Sequence, residues 1–170
     1  MEQKPSSARV ALKWGIIAAL TGIVLATIIY MADLWKIPAI GFLSFIPLII
    51  FIYMAMKEFR TENGGFMSYS QGLGVGMLTG VISGIVGAAF DMLYKKLIDT
   101  NLNERIMDYQ YQKMSESGMD EQQIDAAMDI TAKLTSGGIQ FVMAVVIAAI
   151  GSLIVSLIVA AVLKKDKPVF

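Results

Sequence analysis

Four stretches of this chain run for eighteen residues or more without a single charged side chain: Trp14–Met31, Ala39–Met56, Gly72–Phe90 and Ile139–Leu163. At about 1.5 Å of rise per residue, each reaches across, or nearly across, a hydrocarbon core of about 30 Å as an α-helix. A segment at that depth has no water to satisfy its backbone, so it must close its hydrogen bonds on itself. The pattern predicts an all-α, polytopic integral membrane protein with four transmembrane helices. The spans are expected at about 12–32, 38–58, 70–94 and 138–163 of a single membrane domain covering 1–170. Charged residues make up 16% of the chain, against about a quarter in soluble domains, because these stretches exclude them. Pro47 falls in the middle of the second stretch and removes one helical hydrogen bond, which neighbouring helices can absorb.

The first stretch also has the positive leading end of a secretory signal, in Lys4, Arg9 and Lys13. Its apolar run is too long for one, and no Ala-x-Ala site precedes a plausible mature start. Trp14 and Trp35 bracket it at a separation of about 31 Å along a helix, as interfacial aromatic belts do. It is therefore read as a retained span.

The third span carries a small residue at every fourth position: Gly72, Gly76, Gly80, Gly84 and Ala88. At about 100° per residue, these fall with Thr79, Ser83 and Gly87 on one arc of the helix, and the aliphatic residues occupy the rest. In water each interior glycine would cost about 0.5–1 kcal/mol against alanine. Repeated glycine is expected where a second backbone approaches closely, as in small-xxx-small membrane interfaces. The fourth span offers a matching interval in Ala144, Ala148, Ser152, Ser156 and Ala160. The first offers two more, Ala11–Gly15–Ala19 and Ala18–Gly22–Ala26. Three helices that can approach backbone to backbone favour a compact bundle with a glycine zipper over a wide channel.

Four spans place both termini on one side. That side collects eight basic and four acidic residues, and the other six basic and ten acidic. By the positive-inside rule the termini are cytoplasmic. The 95–138 segment then lies outside the cytoplasm as a helical hairpin between spans 3 and 4. Asn103 is the expected cap of its first helix, which Gly118 ends. Asp120, with Gln123 three residues on, caps the second, whose apolar face is Ile124, Ala127, Met128, Thr131 and Leu134. The hairpin packs on itself or on the membrane surface, or docks an envelope protein.

The chain contains neither cysteine nor histidine. Disulfides, thiolate nucleophiles, Cys/His zinc sites and histidine-based catalytic triads are excluded. The hairpin carboxylates lack the loop spacing of a calcium site and read as a solvated face. The spans hold no midplane carboxylate of the kind that couples ions to transport. Asp91 falls on the glycine arc near the outer end of span three, and Lys95 follows one turn later. The pair is a candidate salt bridge or ligand contact. No catalytic, cofactor-binding or metal residue emerges, and neither a cofactor nor a nucleic-acid partner is expected.

The order of these features is distinctive: four spans, a turn with Asn63-Gly64-Gly65 followed by Ser68-Tyr69-Ser70-Gln71-Gly72, a glycine-rich third helix, and a hairpin with Gly118-Met119-Asp120-Glu121-Gln122-Gln123-Ile124. It resembles the bacterial membrane proteins grouped as domain of unknown function 4199, over nearly the whole chain. The resemblance implies a four-helix inner-membrane protein with no assigned activity, and it supplies no functional residues. The expected function is non-enzymatic, a structural or accessory component of the cell envelope. Its partners would be the lipid bilayer together with another copy of the chain or an envelope protein. The alternative is a small-solute or ion channel or transporter, built as an oligomer around glycine-rich helix faces.

Overall fold

The structure, a computed structural model, describes residues 6–43 and 45–167, and among these it contains helices and no strand. In chain order they are α1 (Ser7–Met31), α2 (Pro38–Leu43), α3 (Ile46–Glu62), α4 (Tyr69–Leu97), α5 (Leu102–Glu116), α6 (Glu121–Leu134) and α7 (Gly137–Leu163). A short 3-10 turn, Leu34–Lys36, joins α1 to α2. Four helical segments are long and apolar enough to cross a membrane: α1, residues 38–62, α4 and α7.

Local chemistry accounts for most of the boundaries. Ser6 caps α1 by accepting a hydrogen bond from the Arg9 amide. Ser68 and Gln71 form a reciprocal box at the head of α4. The Ser68 hydroxyl accepts from the Gln71 amide at 3.3 Å, and the Gln71 side chain accepts from the Ser68 amide at 2.8 Å. The second span differs from the single helix expected over 38–58. It is described as α2 and α3, with Phe45 in a turn ahead of α3; Ser44 lies outside the described residues. Pro47 sits in the first turn of α3, where its missing N–H has no intrahelical bond to lose.

By its contacts the chain divides into two compact units, Met1–Gly87 with Val145–Phe170, and Ala88–Ala144. In the first, α1 packs along α3. Arg9 bonds both carboxylate oxygens of Glu62 at 2.9 and 2.8 Å, Lys13 reaches Glu58 at 2.6 Å, and the Trp14 indole donates to the same carboxylate at 3.0 Å. The head of α1 therefore meets the tail of α3, and the two helices run antiparallel. Bulky apolar residues gather at this end: Val10, Ile52, Met56, Phe59, Met67 and Leu163 are all buried. The chain beyond α7 is tied here by a two-way backbone pairing of Met67 with Lys165, at 2.9 and 2.8 Å. The outer face of α1 exposes Leu12, Ile16, Leu20, Val24 and Ile28 at intervals of four, an unbroken aliphatic strip suited to acyl chains.

In the second unit α5 and α6 pack against each other, with Leu102 and Ile124 buried. The first helix begins at Leu102, so the expected cap at Asn103 is displaced. Asn101 holds the cap position without a side-chain bond, and Asn103 lies inside the first turn. Gly118 follows α5 in the left-handed region (φ +83°), and the Met119 amide bonds back to the Met114 carbonyl, which closes the helix end. Asp120 caps α6 by accepting from the Gln123 amide at 2.8 Å. Of the expected apolar face, Ile124 is buried, Ala127, Met128 and Thr131 are half-buried, and Leu134 is exposed. Outside the spans, Lys113 pairs with Glu116 at 2.7 Å; this bond holds the carboxyl below its usual range and the ammonium above its own. Both side chains are solvated, as on an ordinary helix surface.

The two small-residue stripes of α1 have different surroundings. Ala11, Gly15 and Ala19 are buried, and a Cβ on Gly15 would stand 2.9 Å from the Ile82 Cβ and 3.0 Å from the Thr79 carbonyl oxygen. Gly22 is exposed with nothing within 4 Å of a Cβ. Gly15→Ala should therefore lower the stability of the detergent-solubilised protein by about 1–3 kcal/mol. Gly22→Ala should leave it unchanged or raise it by up to about 1 kcal/mol. Thermal unfolding followed by tryptophan fluorescence checks the contrast.

Candidate functional site: the glycine seam and the Asp91 cluster

Within the first unit, Gly72, Gly76, Gly80 and Gly84 of α4 are each met by one small residue of α7. A Cβ placed on Gly72 would lie 3.0 Å from the Ala160 Cβ and 2.9 Å from the Met67 Cε. On Gly76 it would collide with the Ser156 side chain and with the Met56 Cε, on Gly80 with the Ser152 Cβ, and on Gly84 with the Ala148 Cβ. Each step of four forward on α4 is a step of four backward on α7, so the helices are antiparallel and in one constant register. Real Cβ atoms essentially never approach other heavy atoms below 3.0 Å, so glycine is required at these positions by space. Gly74 and Gly87 are on the same helix but have nothing within 4 Å of a Cβ. Gly74 belongs to the opposite face, whereas Gly87 shares the arc of the stripe and is open there.

The seam is closed and almost without charge. Its hydroxyls mostly serve their own helices: Thr79 donates to the Val75 carbonyl at 2.8 Å and Ser152 to the Ala149 carbonyl at 2.9 Å. Ser156 is fully buried, and its hydroxyl oxygen has no hydrogen-bond partner. It faces the position a Gly76 Cβ would take, so the Gly76 Cα–H points at it as a weak donor. In the first unit the buried polar side chains among the described residues are Thr79, Ser152 and Ser156, and none is ionisable. Such a seam holds the two helices together by close packing.

The remaining expected residues lie in the second unit. Ala88 is buried and Ala144 half-buried. The Asp91 carboxylate takes the Lys95 ammonium at 2.8 Å, with the side chains 25% and 13% exposed, and also accepts from the Gln140 amide at 3.1 Å. The i,i+4 spacing on α4 supplies the first contact, and α7 supplies the second. Sequence reasoning missed Gln140 because nothing in its neighbourhood marks it: it is one polar residue near the start of an apolar helix. Asp91 thus has two donors around it, as expected of an anchored carboxylate. Among the described residues, no group of three or more acidic side chains is placed to hold a metal ion.

The sequence profile described as protein of unknown function (DUF4199) matches residues 13–165. The chain belongs to this family. No curated protein and no solved structure matches the chain. Membership of DUF4199 therefore attaches the seam and the Asp91 cluster to a family of unknown function, and the chemistry of the site must be argued from its own geometry.

If Asp91 is a tie between α4 and α7, its worth is measurable. A double-mutant cycle on Asp91→Ala and Gln140→Ala should give a coupling energy of about 0.5–1.5 kcal/mol in unfolding experiments. A coupling near zero would show that the contact contributes nothing to the fold.

Proposed function

We propose that this member of DUF4199 is a non-enzymatic integral protein of the bacterial inner membrane, a structural or accessory component of the envelope. The observation that carries the reading is the closed seam. The glycines that could have lined a conduit are filled by Ala148, Ser152, Ser156 and Ala160, and no ionisable side chain is buried with them. Transport coupled to ions or protons relies on such side chains within the membrane.

In this reading both termini are cytoplasmic and α5–α6 is an extracytoplasmic hairpin. The asymmetry of basic residues supports that orientation, with Lys13, Lys57, Arg60, Lys164 and Lys165 on the terminal side. The hairpin also suits a docking role. It exposes Tyr111, Met119, Ile130 and Leu134 among its charges, and a second copy or an envelope protein can cover such a surface.

Two measurements test this together. Liposomes containing the native chain should show no solute or ion flux above empty vesicles, and Gly80→Leu should create none. Crosslinking in the native membrane should capture a reproducible protein partner that is lost when α5–α6 is replaced by a short linker. Flux that changes with Gly80→Leu would replace the accessory reading with a conductor, and the absence of any partner would remove it.

A further inference from the structure

We propose that the protein holds the phosphate headgroup of an anionic phospholipid in the cavity between the end of α3 and the end of α7. The cavity encloses about 420 Å³ and is lined by Tyr53, Lys57, Arg60, Thr61, Gly65 and Leu163. That volume lies within the range of small-ligand sites, about 300–1,000 Å³. Both of its charged residues are cations.

Charge balance separates these two cations from those of α1, while Lys164, Lys165 and Lys167 beyond α7 likewise form no ion pair among the described residues. At the same end of the unit Arg9 is matched by Glu62 and Lys13 by Glu58. Lys57 forms no ion pair among the described residues. The Arg60 guanidinium is half-buried and held by neutral groups, its Nε donating to the Gly65 carbonyl at 3.1 Å and its Nη1 to the Leu163 carbonyl at 3.3 Å. These bonds fix the guanidinium in place without neutralising it, and they leave the Nη2 donors of its five-donor fork for a ligand. A partly buried, positioned and uncompensated arginine beside an unpaired lysine is an anion site by its chemistry.

The helix face below the cavity identifies the anion as a lipid. At about 100° per residue, Tyr53, Lys57, Arg60 and Thr61 fall within an arc of about 100° on α3. Glu58 and Glu62 are turned away from that arc, toward α1. Ile46, Ile49, Ile50 and Tyr53 continue the same face down the span, and all four are exposed. On α7, Ile158 and Val162 are exposed in the last turns before Leu163. An occupant would have acyl chains lying on these aliphatic residues and a phosphate between Lys57 and Arg60, with the Tyr53 and Thr61 hydroxyls beside it. Basic pockets at the ends of membrane helices recognise anionic headgroups in this way. Free phosphate would satisfy the cations and leave the aliphatic face unused.

The test is native mass spectrometry of the full chain, released from micelles doped with equal amounts of phosphatidylglycerol and phosphatidylcholine. The native protein should retain phosphatidylglycerol in preference to phosphatidylcholine. Lys57→Gln, at an exposed position, should reduce that preference about fivefold, and Arg60→Gln at least as much. Lys36→Gln, whose ammonium pairs with Asp33 at the other end of α1, should leave it unchanged. Equal retention of the two lipids by the native chain would overturn the proposal. So would a preference that survives both Lys57→Gln and Arg60→Gln. Loss of the bound lipid on adding inorganic phosphate at equal headgroup concentration would assign the site to free phosphate and also overturn it.

Discussion

The absence of side chains along one face of α4 is what the first unit is built on. Between helices in a bilayer the hydrophobic effect gives no net drive, since lipid tails are as apolar as leucine. What remains is close packing, and its strength depends on how near two helix backbones can come. At Gly76 and Gly80 the serines of α7 occupy the volume a methyl group would need, so the approach is as close as the backbone permits. The bulky buried residues Ile52, Met56, Phe59, Met67 and Leu163 gather at one end of the unit, where Met67 and Met56 reach Gly72 and Gly76 of the seam. Small residues set the spacing of the two helices, and large ones fill that end.

The end that carries α1's first turns, the last turn of α3 and the chain beyond α7 is organised by different physics. There, charges are near water and can be paired, as Arg9 with Glu62 and Lys13 with Glu58. Trp14 combines both environments, its ring 6.0 Å from Phe51 and its indole N–H on Glu58. This is the behaviour of a tryptophan at a membrane boundary. Arg60 differs from the paired cations of α1 in being half-buried and held by two carbonyls, with Lys57 one turn before it.

The helical character and the number of long apolar segments are legible in the sequence because a bilayer penalises charge and unpaired backbone so heavily that few compositions remain. The interval of four on α4 and α7 is equally visible. The register that sets Gly80 against Ser152 is not, because each stripe repeats at the same interval and a slip of four would look the same. Nor does the sequence distinguish the two stripes of α1, since Gly15 and Gly22 are both glycine in a helix and only the neighbouring Ile82 separates them. The turn at Phe45 in the second span escaped for a related reason: Pro47 marks a break and a helix start alike. Gln140 and the carbonyls of Gly65 and Leu163 are long-range partners with no local signature.

The register of α4 against α7 is the central claim, and complementary changes of side-chain size test it most directly. Gly84→Ala should lower the stability of the detergent-solubilised protein, because its methyl group meets the Ala148 Cβ, and adding Ala148→Gly should restore it, because the nearest remaining atom is then the Cα of position 148 at 3.9 Å. Adding Ser152→Gly instead, one turn out of register, should restore nothing. Equal recovery with either partner in thermal unfolding, or no recovery with Ala148→Gly, would contradict the register.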